Sequence, residues 1–421
     1  MKRRKIKIKS FLLLLIIIIL FILLLFVFNK DDKKLNNKSD REEQKVVIAD
    51  FRGMMLSDVE SYAIENDIEL SILYDYSDVL KDSVIESKLS DKKLSIVVSL
   101  GEIPYDLYRE KKVNELGKVP IMMYHGIVDT KNTEYIGGNV DKDGYNRTSY
   151  AFIEDLEFYY EKGYRMVRLI DYVNGIIDVK MGYSPIILTF DDGTANNFKV
   201  IGRNEDGSLK FDPNSAIGVL ESFKEKYPDF NVTATFFLNS GLCNQPEYNE
   251  EIMNWLVNHG YDIGNHTTNH ANFSSISAEK TKEVVGKMYQ MLESVLKDKY
   301  VSIIALPFGS PYKKTHTNYE HILSGEYSGT KYQTVAALRV GWESEVSPFD
   351  NNFDPTFLKR CRAYDNNGSD FDIEMNFKLL DKNRYISDGN KNIVDVPRNL
   401  ENKINNRDLK TITYEEEKWK Y

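Results

Sequence analysis

From residue 119 onward the chain alternates short apolar runs with amphipathic stretches, and this alternation constrains the fold more than any other feature. The runs 120–124, 186–190, 233–238, 261–264, 303–306 and 334–338 have the length and the β-branched or aromatic content of buried strands. Between them, 150–162, 217–226, 250–259 and 278–296 repeat apolar residues at helical spacing. A chain patterned in this way builds an α/β fold around a parallel sheet, open or closed into a barrel. In either architecture functional side chains collect at the carboxyl ends of the strands.

The part before residue 119 is organised differently. Six of the first nine residues are Lys or Arg, and 11–28 is an unbroken uncharged apolar run. That length suits a membrane-spanning helix, and the run ends in Val27-Phe28-Asn29-Lys30-Asp31-Asp32 rather than in the small residues of a signal cleavage site. Segment 1–10 therefore reads as cytoplasmic, 11–28 as a single-pass anchor in the cell membrane, and the rest as extracytoplasmic. Taking the six basic residues from the net charge of -9 leaves about -15 for the remainder. So acidic a chain argues against nucleic acid as a partner, because that binding neutralises phosphates with Lys and Arg. Segment 29–45 is nearly all polar and reads as a solvated spacer. Cys243 and Cys361 either pair or remain two buried thiols; two cysteines do not make a disulfide scaffold.

A small unit occupies 46–101. Ser57 and Glu60 have capping-box spacing ahead of the apolar stripe Val59, Tyr62, Ala63, and strands are expected at 69–74 and 94–99. The pattern from Ala49 to Gly101, "ADFRGMMLSDVESYAIENDIELSILYDYSD…LSIVVSLG", resembles a PASTA domain, although Ala49-Asp50-Phe51 replaces the usual Val-Pro-Asx opening. The resemblance implies residence near peptidoglycan.

Two motifs carry chemistry. The strand 186–190 ends abruptly in Asp191-Asp192-Gly193, and adjacent carboxylates raise one another's pKa unless a cation intervenes. One Asp can then ligate a metal while the other works as a general base, although Asp-Asp-Gly is also a common turn. His266 and His270 follow the strand 261–264; on a helical turn this spacing aims both imidazoles at one point, suiting zinc with a carboxylate as third ligand.

Together, "TFDDG" at 189–193, "HTTNH" at 266–270 and "PFG" at 307–309 resemble the first three motifs of the polysaccharide deacetylases, the carbohydrate esterase family four or NodB-homology family. The likeness spans about 118–375, with 376–421 left as a C-terminal extension. It implies a distorted (β/α) barrel of seven or eight strands. It also implies Asp191 as catalytic base, Asp192, His266 and His270 as ligands of a divalent metal, in this family usually Zn2+, and the Phe308 backbone N–H as oxyanion donor. The implied substrate is an N-acetylglucosamine polymer, peptidoglycan or poly-GlcNAc, with peptidoglycan favoured.

Two elements of the family pattern are missing. No histidine follows His321, so the late acid motif is absent, but Met123-Tyr124-His125 at the end of the first strand has its apolar-x-His form. This resembles the circularly permuted poly-N-acetylglucosamine deacetylase branch. First and last strands of a barrel are neighbours, so His125 is expected as general acid. Ala305 stands where the third motif carries an arginine, and Arg360 or Arg362 in "FLKRCRAYD" is the expected substitute for orienting the base. Trp342 is expected to line the sugar site. The rival readings are a wall-binding or sensory protein with a degenerate barrel, and a glycosidase. Adjacent carboxylates cannot flank a sugar as a glycosidase requires.

Overall fold

The computed structural model describes residues 50–131 and 134–415. Helix α1 (Leu56–Glu65) packs Val59 and Ala63 onto a three-stranded sheet of β1 (Glu69–Asp75), β2 (Val84–Ser90) and β3 (Lys93–Ser99) in the order β1-β3-β2. The middle strand in sequence, β2, was not expected: its outward face carries Glu86, Lys88 and Ser90, which hide the apolar alternation. The capping box does not form, for the helix begins after Met55 with no side-chain cap.

The main domain is a curled, all-parallel sheet of eight strands: β4 (Ile121–Tyr124), β5 (Tyr164–Met166), β6 (Ser184–Phe190), β7 (Thr235–Leu238), β8 (Asp262–Asn265), β9 (Ile303–Ala305), β10 (Ala336–Leu338) and β11 (Cys361–Arg362). Their order is β10-β9-β8-β7-β6-β4-β11, with β5 on β6. The two ends approach one another through a parallel bridge from Leu338 to Leu358. Each expected strand from 120 to 338 and each expected helix is present. The helices are α2 (Ser149–Glu161), α3 (Ala216–Lys226), α4 (Asn249–Asn258) and α5 (Ala278–Leu296). Thr148, Ser215 and Ser277 cap α2, α3 and α5 by accepting a backbone N–H three residues on, which fixes where those helices start. The face of α5 bearing Val284, Val285, Met288, Leu292 and Leu296 is buried against the sheet side that also holds Ile263 and Ile304. The strands, buried on both faces, read as continuous apolar runs.

After α6 (Ile373–Leu380) the C-terminal extension packs back onto the domain. Strands β12 (Ile393–Pro397) and β13 (Lys410–Tyr414) pair in parallel, and Val394 and Val396 enter the core beside Tyr385 and Ile121. Cys243 and Cys361 are separate, buried free thiols.

The placement in the membrane is corrected. Among the described residues no helix is long and apolar enough to cross a membrane, so a single-pass membrane location is not supported. Segments 1–10, 11–28 and 29–45, on which that expectation rested, lie outside the described residues.

Candidate active site

Because the strands are parallel, their carboxyl ends share one mouth. Strand β6 delivers Asp191 and Asp192, β8 delivers His266, β4 delivers His125, and β9 leads into Pro307-Phe308-Gly309. The turn after β6 is tight: Asp192 and Gly193 both have positive φ, 70° and 60°. A Cβ on Gly193 would meet the Leu242 carbonyl at 2.0 Å, so only glycine fits there. Asp191 is thereby turned inward and buried at 2% exposure, while Asp192 faces the mouth.

One ligating atom each from Asp192, His266 and His270 lie within 4.8 Å of one another. Asp192 Oδ1 is 3.2 Å from His266 Nε2 and 3.5 Å from His270 Nε2. His266 Nδ1 meets the Ala305 carbonyl at 2.9 Å, so its hydrogen belongs on Nδ1 and the Nε2 lone pair points into the cluster. That Nε2 is buried and, although near Asp192, lacks hydrogen-bond geometry to any partner among the described residues. Two imidazoles and a carboxylate with an orphaned, inward-aimed lone pair fit a divalent cation. The histidines do not lie on a helical turn: Thr267 and His270 adopt left-handed backbone, φ 62° and 51°, and a loop brings the two rings to 4.9 Å.

Asp191 is clamped from inside the barrel. Arg360, fully buried, donates Nη1–H to Oδ1 at 2.8 Å and Nη2–H to Oδ2 at 2.7 Å. It also donates to Thr189 Oγ1 and to the Arg339 carbonyl. Burial alone would raise the Asp191 pKa, but the Arg360 guanidinium and His266 hold it well below the usual carboxylate range. Of the two expected arginines, Arg360 is the one on Asp191. Arg362 instead lies over the Tyr364 ring at 3.7 Å and the Tyr145 ring at 5.4 Å.

His125 stands at the same mouth, near enough for the charges of Asp191, Asp192 and His266 to act on it. Burial lowers its pKa, opposed by the two carboxylates. The Asn197 side chain holds its carbonyl at 2.8 Å, Tyr145 meets its ring edge-on at 4.9 Å, and its Nδ1 is buried with no hydrogen-bond partner among the described residues. Phe308, 52% exposed with φ 59°, packs its ring on His270 at 4.5 Å, and its N–H takes no backbone carbonyl among the described residues. Trp342, 59% exposed, lines a cleft of about 670 Å³ together with Arg362 and Tyr364. Sequence reading missed Tyr145, Asn197 and the Ala305 carbonyl, none of which carries a local signal.

The family model for polysaccharide deacetylase matches residues 178–322. No curated protein matches the chain by sequence. Among solved structures it is similar to the Streptococcus pyogenes deacetylase PplD in complex with acetate, at 16% identity, covering 63% of this chain and 98% of that one with a TM-score of 0.43. It is also similar to a de-N-acetylase from Aggregatibacter actinomycetemcomitans at 12% identity, covering 58% and 94%, TM-score 0.38. A family 4 carbohydrate esterase from Bacillus anthracis gives 18% identity, covering 61% and 90%, TM-score 0.24. The family match is confined to 178–322, so the resemblance of 46–101 to a PASTA domain is not supported. His125, Trp342 and Arg360 fall outside the matched segment, whereas both carboxylates and both histidines fall inside it. By the sequence match, this segment of the chain, residues 178–322, belongs to the polysaccharide deacetylase family.

Proposed function

We propose that the chain is a metal-dependent N-deacetylase that removes acetyl groups from N-acetylglucosamine residues of a polysaccharide, peptidoglycan first. One observation carries this: a buried Asp191 gripped bidentately by Arg360 stands beside three donors, Asp192, His266 and His270, that converge on one point. The donor set suits zinc, which when bound supplies Lewis-acid polarisation and a lowered pKa for water.

The chain's own residues do the rest. Asp191, kept anionic by Arg360, takes a proton from the water that adds to the acetamide carbonyl carbon. The Phe308 N–H donates to the carbonyl oxygen as it becomes negative. His125 gives its proton to the amine nitrogen as the C–N bond breaks; the burial that lowers its pKa makes its imidazolium a stronger acid. Acetate and a free amine result. Both elements missing from the linear motifs, an arginine and an acid histidine, have counterparts in space, which favours an enzyme over a degenerate binding protein.

The test is metal analysis of the purified protein together with acetate release from peptidoglycan and from poly-GlcNAc, with Asp191→Asn alongside. Acetate release that is lost in Asp191→Asn is expected. Bound metal without acetate release from either polymer would reject the enzyme in favour of a wall-binding protein.

A further inference from the structure

His125 has no hydrogen-bonded partner to aim its ring from Nδ1, which is buried without one among the described residues. The direction of the imidazole therefore comes from the backbone that carries it and from the Tyr145 edge at 4.9 Å. That backbone has already left the sheet. Strand β4 ends at Tyr124, whose carbonyl accepts the Asp191 N–H at 3.0 Å. Beyond it, the Asn197 side chain donates to the His125 carbonyl at 2.8 Å and accepts the Ile127 N–H at 3.0 Å. In a parallel ladder one residue gives its N–H to the carbonyl of residue i−1 and takes the N–H of residue i+1. The Asn197 amide does both, with Gly126 as residue i, so a side chain prolongs the ladder past the end of the strand. Gly126 is held as well: its N–H donates to Asn146 Oδ1 at 2.9 Å, and its carbonyl accepts from the Arg147 N–H at 3.0 Å.

Asn197 is fully buried and belongs to the segment that presents both carboxylates. It closes the short turn Ala195–Asn197 that follows Asp191-Asp192-Gly193, with its own N–H on the Thr194 carbonyl at 3.0 Å. The turn is pinned on both flanks. The Asn244 side chain donates to the Gly193 carbonyl at 2.7 Å, and the Gln245 side chain to the Phe198 carbonyl at 2.8 Å. One amide, fixed at its base, thus ties the carboxylate turn to the histidine. Such a tie matters for a proton donor, because a displacement of about 1 Å costs on the order of 10²-fold in rate. We infer that Asn197 is the positioning residue of His125, holding the acid in register with Asp191 and Asp192. This rests on the deacetylase reading of the site and deepens it, since acid and base are then set by one segment of chain.

The experiment uses the full chain, zinc-loaded, with two probes: the N-acetylglucosamine pentamer, an amide whose amine leaves only with a proton, and p-nitrophenyl acetate, whose phenolate leaves without one. Asn197→Ala is expected to lower kcat on the pentamer about 10²-fold, with KM and zinc content close to wild type. On the aryl ester the same variant should stay within about threefold of wild type, and His125→Ala should show the same split, because only the amide needs the acid. Asn197→Asp adds a pH readout. Its protonated carboxyl offers one donor and one acceptor, as the amide does, whereas the ionised form has no donor for the His125 carbonyl. Its pentamer rate relative to wild type should therefore be highest near pH 5 and fall as pH rises, while the ratio for Asn197→Ala stays flat. Equal losses on amide and ester, or a pentamer rate within about threefold of wild type in Asn197→Ala, overturns the inference. If thermal melts show Asn197→Ala unfolded, Asn197→Asp decides, and a ratio independent of pH overturns it. Wild-type protein that releases no acetate from the pentamer or from peptidoglycan removes the deacetylase reading and the role of Asn197 with it; an active wild type without the split removes the role of Asn197 alone.

Discussion

Removing the charge of Arg360 should separate stability from activity. Arg360 has no solvent exposure and Asp191 has 2%, and two charge-assisted hydrogen bonds of 2.7 and 2.8 Å join them. In Arg360→Met the carboxylate is left buried and uncompensated, which costs about 3–5 kcal/mol. For a domain of this size each kcal/mol moves Tm by roughly 2–4 °C, so a fall on the order of 6–20 °C is expected. Arg360→Lys keeps one charge but cannot serve both oxygens, Thr189 and the Arg339 carbonyl together, so it should lose about half as much. The decisive variant is Asp191→Asn/Arg360→Met. A buried ion pair replaced on both sides by neutral groups of similar volume is close to neutral in stability. The double variant should regain most of the lost Tm while acetate release stays at background. Thermal melts and acetate assays on the four proteins complete the cycle. A double variant as unstable as Arg360→Met would show that the loss comes from packing around residue 360 and not from an unpaired charge, and would refute the clamp.

Three further outcomes follow from the same geometry. His125→Ala should lower kcat roughly 10²- to 10⁴-fold while zinc uptake, read by metal analysis, persists; near-normal turnover would remove His125 from the proton path. Stripping with a chelator should lower Tm, and zinc added back at a hundred times its Kd should restore about 2.7 kcal/mol. That response should vanish in Asp192→Asn and in His270→Ala, and a response unchanged in both would place the ion elsewhere. Away from the mouth, Glu115, Asp388 and Asp395 are buried together, and burial pushes each of them up to about 8. Two facing carboxyls hydrogen-bond only while one keeps its proton, so the folded chain holds protons that the unfolded chain releases from about pH 4 upward. Their contribution is complete below that range and is lost as pH rises toward 8, by about 1.4 kcal/mol per pH unit for each proton retained. Glu115→Gln should flatten this slope in denaturant titrations at pH 5, 6.5 and 8, and parallel curves for variant and wild type would contradict it.

Periodicity decided how much of this could be read in advance. Helix α5 was foreseen residue for residue because nineteen positions repeat the same stripe and Ser277 marks the start. Strand β11 was invisible because two residues have no period; it exists only because the curled sheet brings 361–362 against β4. The same distinction runs through the site. Asp191, Asp192, His266 and His270 sit within short motifs, and their residue types alone advertise a metal. Even so, the His266–His270 spacing misled about the backbone, since left-handed residues at Thr267 and His270 do by loop geometry what a helical turn was expected to do. Arg360 meets Asp191 across 169 positions, and no local pattern encodes a partner at that distance. What made it and His125 accessible was topology: β4 lies between β6 and β11, so residues from opposite ends of the domain become neighbours of Asp191. The matched family segment, 178–322, contains neither of them. Motifs therefore identify the groups proposed to hold the metal and to meet the substrate oxygen, while the pairing of β11 with β4 brings in the groups proposed to set their charge and protonation. On the proposed mechanism, a chain with the same four motif residues but no β4–β11 pairing would keep the three donors together and still lack the arginine that holds Asp191 anionic.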